Sequence, residues 1–383
     1  MSDSSIPLSI PHLAGNESAY LQDCLDTNFV SSVGPYVGRF EDAFAKTVGS
    51  PYAVACSCGT AAIHVALQIA GVERNDEVWV SDFSFIATVN PIAYLGAIPV
   101  LVDAEASTWN LDPDLVADEL HRRRASGKPL PKAVLAAHIL GIPAKLLPIL
   151  EACAELDIPV IEDAAESLGS YYREGSLAGR WVGTVGRLGC FSFNGNKILT
   201  TGGGGMIVSA DRELAGRAKH LTTQARLPGE EYLHDEIGYN YRLTNLAAAL
   251  GVAQLEQLPS FLQRKLDIAR RYDDAFRDVE GVTPHPRPAG ARGVPWLYSI
   301  LLDPQAVRID RRVLMRELDA RDIQSRPIWL PAHCMSMYSK APRLGGAVGE
   351  RLHDHGLSLP SSVSLGERDQ DRVIQAVLTA LKG

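Results

Sequence analysis

The sequence predicts an α/β fold: a large domain whose mostly parallel sheet is sandwiched by helices, followed by a smaller α+β C-terminal domain. Three observations carry this reading. Short, β-branched runs alternate with helix-like segments through the first two-thirds of the chain, the pattern of a sheet covered by helices. Those runs are not polar at alternate positions, so they suit strands buried on both faces. The texture then changes near Leu243 to almost continuous helix-forming sequence. The boundary is set so that residues 1–248 form the large domain and 249–383 the small one.

The predicted strands are Val78–Val80, Pro99–Val102, Ala133–Ala137, Pro159–Ile161, Gly189–Phe193 and Met206–Val208. Candidate helices lie between them. Over Ala61–Ala70, Ile63, Ala66, Leu67 and Ala70 share a face at helical spacing. Ala144–Leu156 is another. From Leu243 to about Val279 the helix-forming sequence is broken only at Pro259, since proline lacks the N–H that a helix interior needs. Proline-rich loops follow at Pro284, Pro286 and Pro288. A strand over Trp296–Leu302, a helix over Arg311–Arg321 and a last helix over Arg372–Leu381 complete the reading.

Composition narrows the function. Hydrophobic residues make up 46% of 383 residues, enough for a large core. The net charge of -8 offers no counterion-release affinity, which argues against nucleic acid as a partner. Arg122-Arg123-Arg124 reads as a solvated helix face. Six scattered cysteines read as reduced, mostly buried thiols. Met1–Ser5 has no basic region ahead of an apolar run, and no stretch of about 18 apolar residues exists. A cytoplasmic enzyme without a membrane span is expected.

In an open parallel sheet, ligands bind beyond the carboxyl ends of the strands, so the residues there carry the functional reading. Ser57-Cys58-Gly59-Thr60 leads into a helix, where free N–H groups and the helix dipole favour an anion. Phe85, after the Val78–Val80 run, is able to stack on a flat ring. Glu162, Asp163 and Glu166 follow Val160-Ile161. An Asp there suits a metal, a helix cap or a cationic ring nitrogen. Ser192 and Asn194 offer polar groups to a phosphate. Lys197 sits in a loop of low polarity ahead of Gly202–Gly205, and a desolvated lysine is a nucleophilic one. Taken in order, these pieces resemble the pyridoxal 5′-phosphate (PLP) enzymes of fold type I. No metal site is assigned: His333 neighbours Cys334, and His353 and His355 lie two apart, but no His pair has the metalloprotease spacing.

Three stretches carry a closer likeness: Ile161–Glu166, Phe191–Lys197 and Gly238-Tyr239-Asn240-Tyr241-Arg242-Leu243. With them the chain resembles, from Asn28 to Ser362, the DegT/DnrJ/EryC1/StrS family of sugar aminotransferases. The resemblance implies that Lys197 holds PLP, that Asp163 pairs with its pyridine nitrogen and that Phe85 stacks on its ring. It also implies that Gly59, Thr60 and Ser192 hold the phosphate. Glu166 stands beside the cofactor where relatives often carry His or Gln. Asn240 reaches the phosphate in the neighbouring subunit, which implies a homodimer with shared active sites.

Thr223–Arg226, Tyr232, His234 and Gly238–Tyr241 resemble a narrower group that aminates UDP-2-acetamido-4-keto-2,6-dideoxyhexoses, with dTDP- and GDP-linked keto sugars as alternatives. L-Glutamate is the implied amino donor and 2-oxoglutarate its product. His138, Arg226, His234 and Arg242 are the candidate substrate contacts. Two rivals are weaker. A sugar dehydratase of this family would have histidine at Lys197, and a nicotinamide-dependent dehydrogenase would show G-x-G-x-x-G after a first strand. A non-catalytic sensor on the same fold is a third.

Overall fold

The computed structural model describes residues 5–382. Helices α1 (Glu17–Asp26) and α2 (Pro35–Val48) precede strand β1 (Tyr52–Cys56) and helix α3 (Gly59–Ile69). Strands and helices then alternate: β2 (Glu77–Ser81), α4 (Asn90–Tyr94), β3 (Ile98–Val102), α5 (Pro113–Ser126), β4 (Ala133–Ala137), α6 (Leu146–Ala154) and β5 (Val160–Asp163). The short β6 (Tyr171–Tyr172), then β7 (Leu188–Ser192), β8 (Gly205–Ser209) and α7 (Arg212–Thr222) follow. The remainder comprises α8 (Asn245–Phe276), β9 (Val282–Pro284), β10 (Ala291–Arg292), β11 (Tyr298–Leu302), α9 (Arg311–Asp319), β12 (Arg326–Pro327), β13 (Arg343–Leu344), α10 (Val348–His355), β14 (Gly356–Leu359) and α11 (Glu367–Lys382).

The large sheet has the order β1-β8-β7-β5-β4-β2-β3-β13. Only β8 runs against its neighbours, so the sheet is mostly parallel, and all six strands predicted for the large domain lie in it. Strand period explains the apolar runs. In β4 every residue is buried; Val134 and Ala136 enter one core while Ala133 and Leu135 enter the other. Strand β1 was not among the expected ones, because Tyr-Ala-Val-Ala-Cys has few large β-branched residues.

Two expectations are corrected. Helix α8 runs unbroken through Pro259. A proline inside a helix costs about 3 kcal/mol. Here Leu255, Leu258, Phe261 and Leu262, on both sides of it, are buried in one core, and that packing offsets the cost. The last helix begins at Glu367 rather than Arg372, its first turn carrying Glu367 and Asp369, which suit the positive end of the helix dipole. Helix α8 also crosses the expected 248/249 boundary. Its first half packs beneath the large sheet, and Ile268, Ala269, Tyr272 and Phe276 enter a third core below the antiparallel sheet β12-β14-β11-β9. Strand β13 returns to the edge of the large sheet beside β3.

Glu162 ties the sheet to the loop before β7. Its carboxylate is fully buried and accepts N–H bonds from Gly183 (2.7 Å), Val185 (2.7 Å) and Gly186 (2.6 Å). The close approach requires glycine at 189, where a Cβ would lie 1.8 Å from the Gly183 carbonyl oxygen. His138 completes the shell at 3.0 Å. Burial pushes the Glu162 carboxyl up, but His138 and the backbone donors outweigh it and hold it below its ordinary value of 4.5. A depressed folded-state pKa gives stability that is present above the unfolded value and lost as pH falls through the folded one. Glu162→Gln, which leaves that donor cage facing an amide, is expected to cost about 3–5 kcal/mol, read as a lower melting temperature. The deficit should shrink on acidification below pH 4.5. Identical melting at neutral pH would refute this account.

Candidate active site

A cavity of about 760 Å³ opens at the carboxyl ends of β2, β4, β5 and β7. Gly59, Thr60, Phe85, Asp163, Glu166, Ser192, Asn194 and Lys197 all line it. Tertiary structure thus brings together residues spread over nearly 140 positions of sequence.

The start of α3 forms one wall. Cys58 caps the helix: its Sγ accepts the Ala61 N–H at 3.4 Å and its carbonyl accepts the Ala62 N–H at 3.1 Å. The Gly59 and Thr60 N–H groups have no intrahelical acceptor, as in any first turn, and favour an anion there. A Cβ on Gly59 would lie 2.9 Å from Ser192 Cβ, so the end of β7 and the start of α3 meet only because this residue is glycine.

Asp163 ends β5 and is 7% exposed. The Ala165 N–H donates to Oδ1 at 3.0 Å and the Thr88 hydroxyl to Oδ2 at 2.7 Å. Each oxygen is held, so the carboxylate is aimed. A helix cap, one of the sequence readings, is not what Asp163 provides: β5 is followed by a turn at 165–166 and not by a helix.

Lys197 lies in the loop that returns β7 to β8. Phe193, buried against Phe40 and Phe44, roots that loop, and the Lys197 N–H closes a turn on the Asn194 carbonyl at 3.0 Å. The amine stands 3.8 Å from Glu166 Oε1 and 3.7 Å from the centre of the Trp296 ring. Its side chain is 13% exposed. Burial pulls the Lys197 pKa down, and Glu166 and Asp163 only partly oppose that. Burial likewise pushes the Glu166 carboxyl up, against the pull of Lys197 and the Leu140 N–H. Leu140 sets both neighbours of the amine: its N–H donates to Glu166 Oε2 at 2.7 Å and its carbonyl accepts the Trp296 N–H at 2.9 Å. It does so from the left-handed region, φ 54°, backbone strain of a kind that collects at functional sites.

Phe85 is half exposed, 5.3 Å from Trp329, which lies 6.1 Å from Trp296. These rings make one aromatic wall. The Trp296 indole N–H donates to the Asn196 carbonyl at 2.6 Å, fastening the lysine loop. Sequence reading missed Thr88, Leu140, Trp296, Trp329 and Arg326, all of which line the cavity. The tryptophans, each set next to or near proline, were the available signal; nothing local marks the other three.

One expectation is corrected. His138 does not present its ring to a substrate. Its side chain is fully buried, Nδ1 accepts the Ala144 N–H at 3.0 Å, and Nε2 therefore donates to Glu162. The other candidates lie outside the cavity. Arg226, His234 and Arg242 line a separate concavity with Tyr232, the Arg226 guanidinium 4.2 Å above the Tyr232 ring. Asn240 pairs with Thr223 in the same segment and is exposed. His333 sits between Asp82 (2.5 Å) and Glu350 (2.9 Å), and pins the segment carrying Trp329 to the end of β2.

With this geometry, the family model of the DegT/DnrJ/EryC1/StrS aminotransferases matches residues 11–378. The chain belongs to that family. It is 41% identical over 377 residues to EpsN of Bacillus subtilis (strain 168), provisionally named as a pyridoxal phosphate-dependent aminotransferase, covering 97% of this chain and 95% of that protein. It is 38% identical over 373 residues to the GDP-perosamine synthase of Caulobacter vibrioides, covering 97% of each. The crystal structure of the aminotransferase TlmJ from Streptoalloteichus hindustanus superposes with a TM-score of 0.87 at 31% identity, covering 99% of each chain. The protein is an aminotransferase of fold type I.

In this aminotransferase, Glu166→Gln should lower the Lys197 pKa further, because removing a negative charge disfavours the ammonium form. The check is the pH dependence of Lys197 modification by an amine reagent, read by peptide mass spectrometry. Its acid limb is expected at lower pH in the variant, and an unmoved limb would remove Glu166 from the electrostatics of the amine.

Proposed function

We propose that this aminotransferase carries PLP on Lys197 and transfers an amino group from L-glutamate to C4 of a nucleotide-linked 4-keto-6-deoxy sugar, the product serving surface-glycan biosynthesis. The observation that carries this is the desolvated Lys197 amine in one cavity with Asp163, an aromatic wall and the open start of α3. The donor set suits PLP part by part: unpartnered Gly59 and Thr60 N–H groups and the Ser192 hydroxyl for the phosphate, the Asp163 carboxylate for the ring nitrogen, Phe85 for the ring face. When bound, PLP supplies an electron sink for carbanion charge.

The residues then divide the work. Asp163 keeps the ring nitrogen protonated. Glu166 and Trp296 hold the lysine amine in place. With its amine free, Lys197 would take a proton from the donor's α-carbon and later deliver one to the sugar carbon, as general base and acid. The aromatic wall and the low exposure of the Lys197 side chain keep water from that transfer.

UDP-2-acetamido-4-keto-2,6-dideoxyhexose is the favoured acceptor, on the likeness of the segment around Arg226, Tyr232, His234 and Asn240. A GDP-linked keto sugar is the second reading, favoured by relatives named GDP-perosamine synthase. The working unit is a homodimer in which Asn240 and the candidate contacts Arg226, His234 and Arg242 serve the partner's cavity. Exposed Tyr232, Leu233 and Ile237 beside them are apolar surface suited to burial against a second copy.

The test is an absorbance spectrum of the protein with PLP. The visible band should vanish on adding L-glutamate and return with the accepted keto sugar. Lys197→Ala is expected to keep the fold and abolish both changes. Asp163→Asn should slow both by on the order of 10²–10³-fold, the cost of one preorganised electrostatic contact. A wild-type protein that holds PLP unchanged with glutamate would point instead to a non-catalytic binding role or another donor.

A further inference from the structure

Within one chain the cavity has a charge problem that its lining residues, Lys197 apart, leave to a single side chain. Both proposed substrates are anionic, one a dicarboxylate and the other a pyrophosphate ester, and both must enter the same cavity in turn. The lining already holds two carboxylates, Asp163 and Glu166, and the cofactor would add a phosphate. Among the described residues lining it, only Lys197 and Arg326 are cationic apart from histidine. The histidines are engaged: His138 with Glu162, and His353 with the Ile328 carbonyl at Nδ1 and Arg311 at Nε2. Lys197 is committed to the cofactor.

Arg326 is not committed. It lies on β12, opposite Ser358 of β14, and both residues line the cavity. Three residues on, Trp329 joins the aromatic wall, so the arginine and the wall share one short segment of chain. Its side chain is exposed, its hydrogen bond runs from Nη1 to the neighbouring Ser325 carbonyl at 2.8 Å, and among the described residues no carboxylate pairs with it. Arginine offers a planar fork of N–H donors with no acceptor, matched to the paired oxygens of carboxylate and phosphate. A surface arginine without an acid is ordinary on an open face. At the rim of a cavity that receives anions and is otherwise acidic, it is the one counter-charge besides Lys197 that the described lining residues of the same chain supply.

We propose that Arg326 is the substrate-anion anchor of this aminotransferase, pairing with a carboxylate of the amino donor or with the pyrophosphate of the nucleotide sugar as each occupies the cavity. The assignment rests on the amino-donor and keto-sugar reading above and makes Arg326 a specificity determinant for it.

The test follows the two half-reactions separately on the PLP-loaded enzyme and on the enzyme preloaded with pyridoxamine phosphate. Arg326→Gln should leave the cofactor spectrum unchanged and raise the half-saturating concentration at least ~10-fold in the affected half-reaction, with a smaller effect on its maximal rate. Arg326→Lys should recover part of the loss, since the charge stays and the fork goes. A rise confined to glutamate identifies the carboxylate, a rise confined to the sugar identifies the pyrophosphate, and a rise in both identifies a shared anchor. In the carboxylate case, binding of glutarate, a dicarboxylate with no amino group to transfer, should weaken by a similar factor in titration calorimetry on the loaded enzyme. Half-saturation equal to wild type in both half-reactions overturns the proposal. Wild-type protein inert to glutamate but active from the preloaded form would instead fault the donor reading, and the sugar half-reaction would still decide the role of Arg326.

Discussion

The site depends on keeping one lysine amine out of water while holding a carboxylate close to it. Lys197 in solvent would be an ammonium ion and no nucleophile. Buried beside Trp296 it loses part of that preference, and the nearby Glu166 limits how far the shift goes. Neither partner is placed by its own sequence neighbourhood. Leu140 reaches both through its backbone, from a conformation that leucine rarely adopts. Strain at that residue is offset by the bonds its N–H gives to the Glu166 carboxylate and its carbonyl accepts from Trp296, and by the burial of its side chain.

Behind the site, β5 separates two adjacent carboxylates into different tasks. Asp163 faces the cavity and is aimed by Thr88 and Ala165. Glu162, one residue earlier, is fully enclosed by backbone donors and His138, and fixes the loop against which β7 packs. Successive residues of a strand point to opposite faces, and that alternation lets one dipeptide serve chemistry and architecture at once. His138 is spent on the second task.

Within one chain the anionic substrates meet an acidic cavity. The residues that resemble a sugar-binding group, Arg226, His234 and Arg242, form a separate surface with exposed apolar side chains beside it. An active site completed by a second copy resolves that separation. Arg326, by contrast, brings a cation to the cavity from the same chain.

The sequence by itself determined the sheet, its burial on both faces, and the order in which an anion-binding turn, an aromatic, an acid and a lysine follow its strands. Those features repeat at short range, through strand period, helix spacing and turn residues, so they are written locally. It also suggested a break at Pro259 and a substrate role for His138, and both failed for one reason. Local rules price a proline or a polar side chain alone, whereas packing on either side of Pro259 and the enclosed carboxylate of Glu162 set the outcome. Only the tertiary structure decided that Leu140, Trp296, Trp329 and Arg326 line one cavity with Lys197. Contacts between residues so far apart in the chain arise from how layers pack, and no periodicity in the sequence records them.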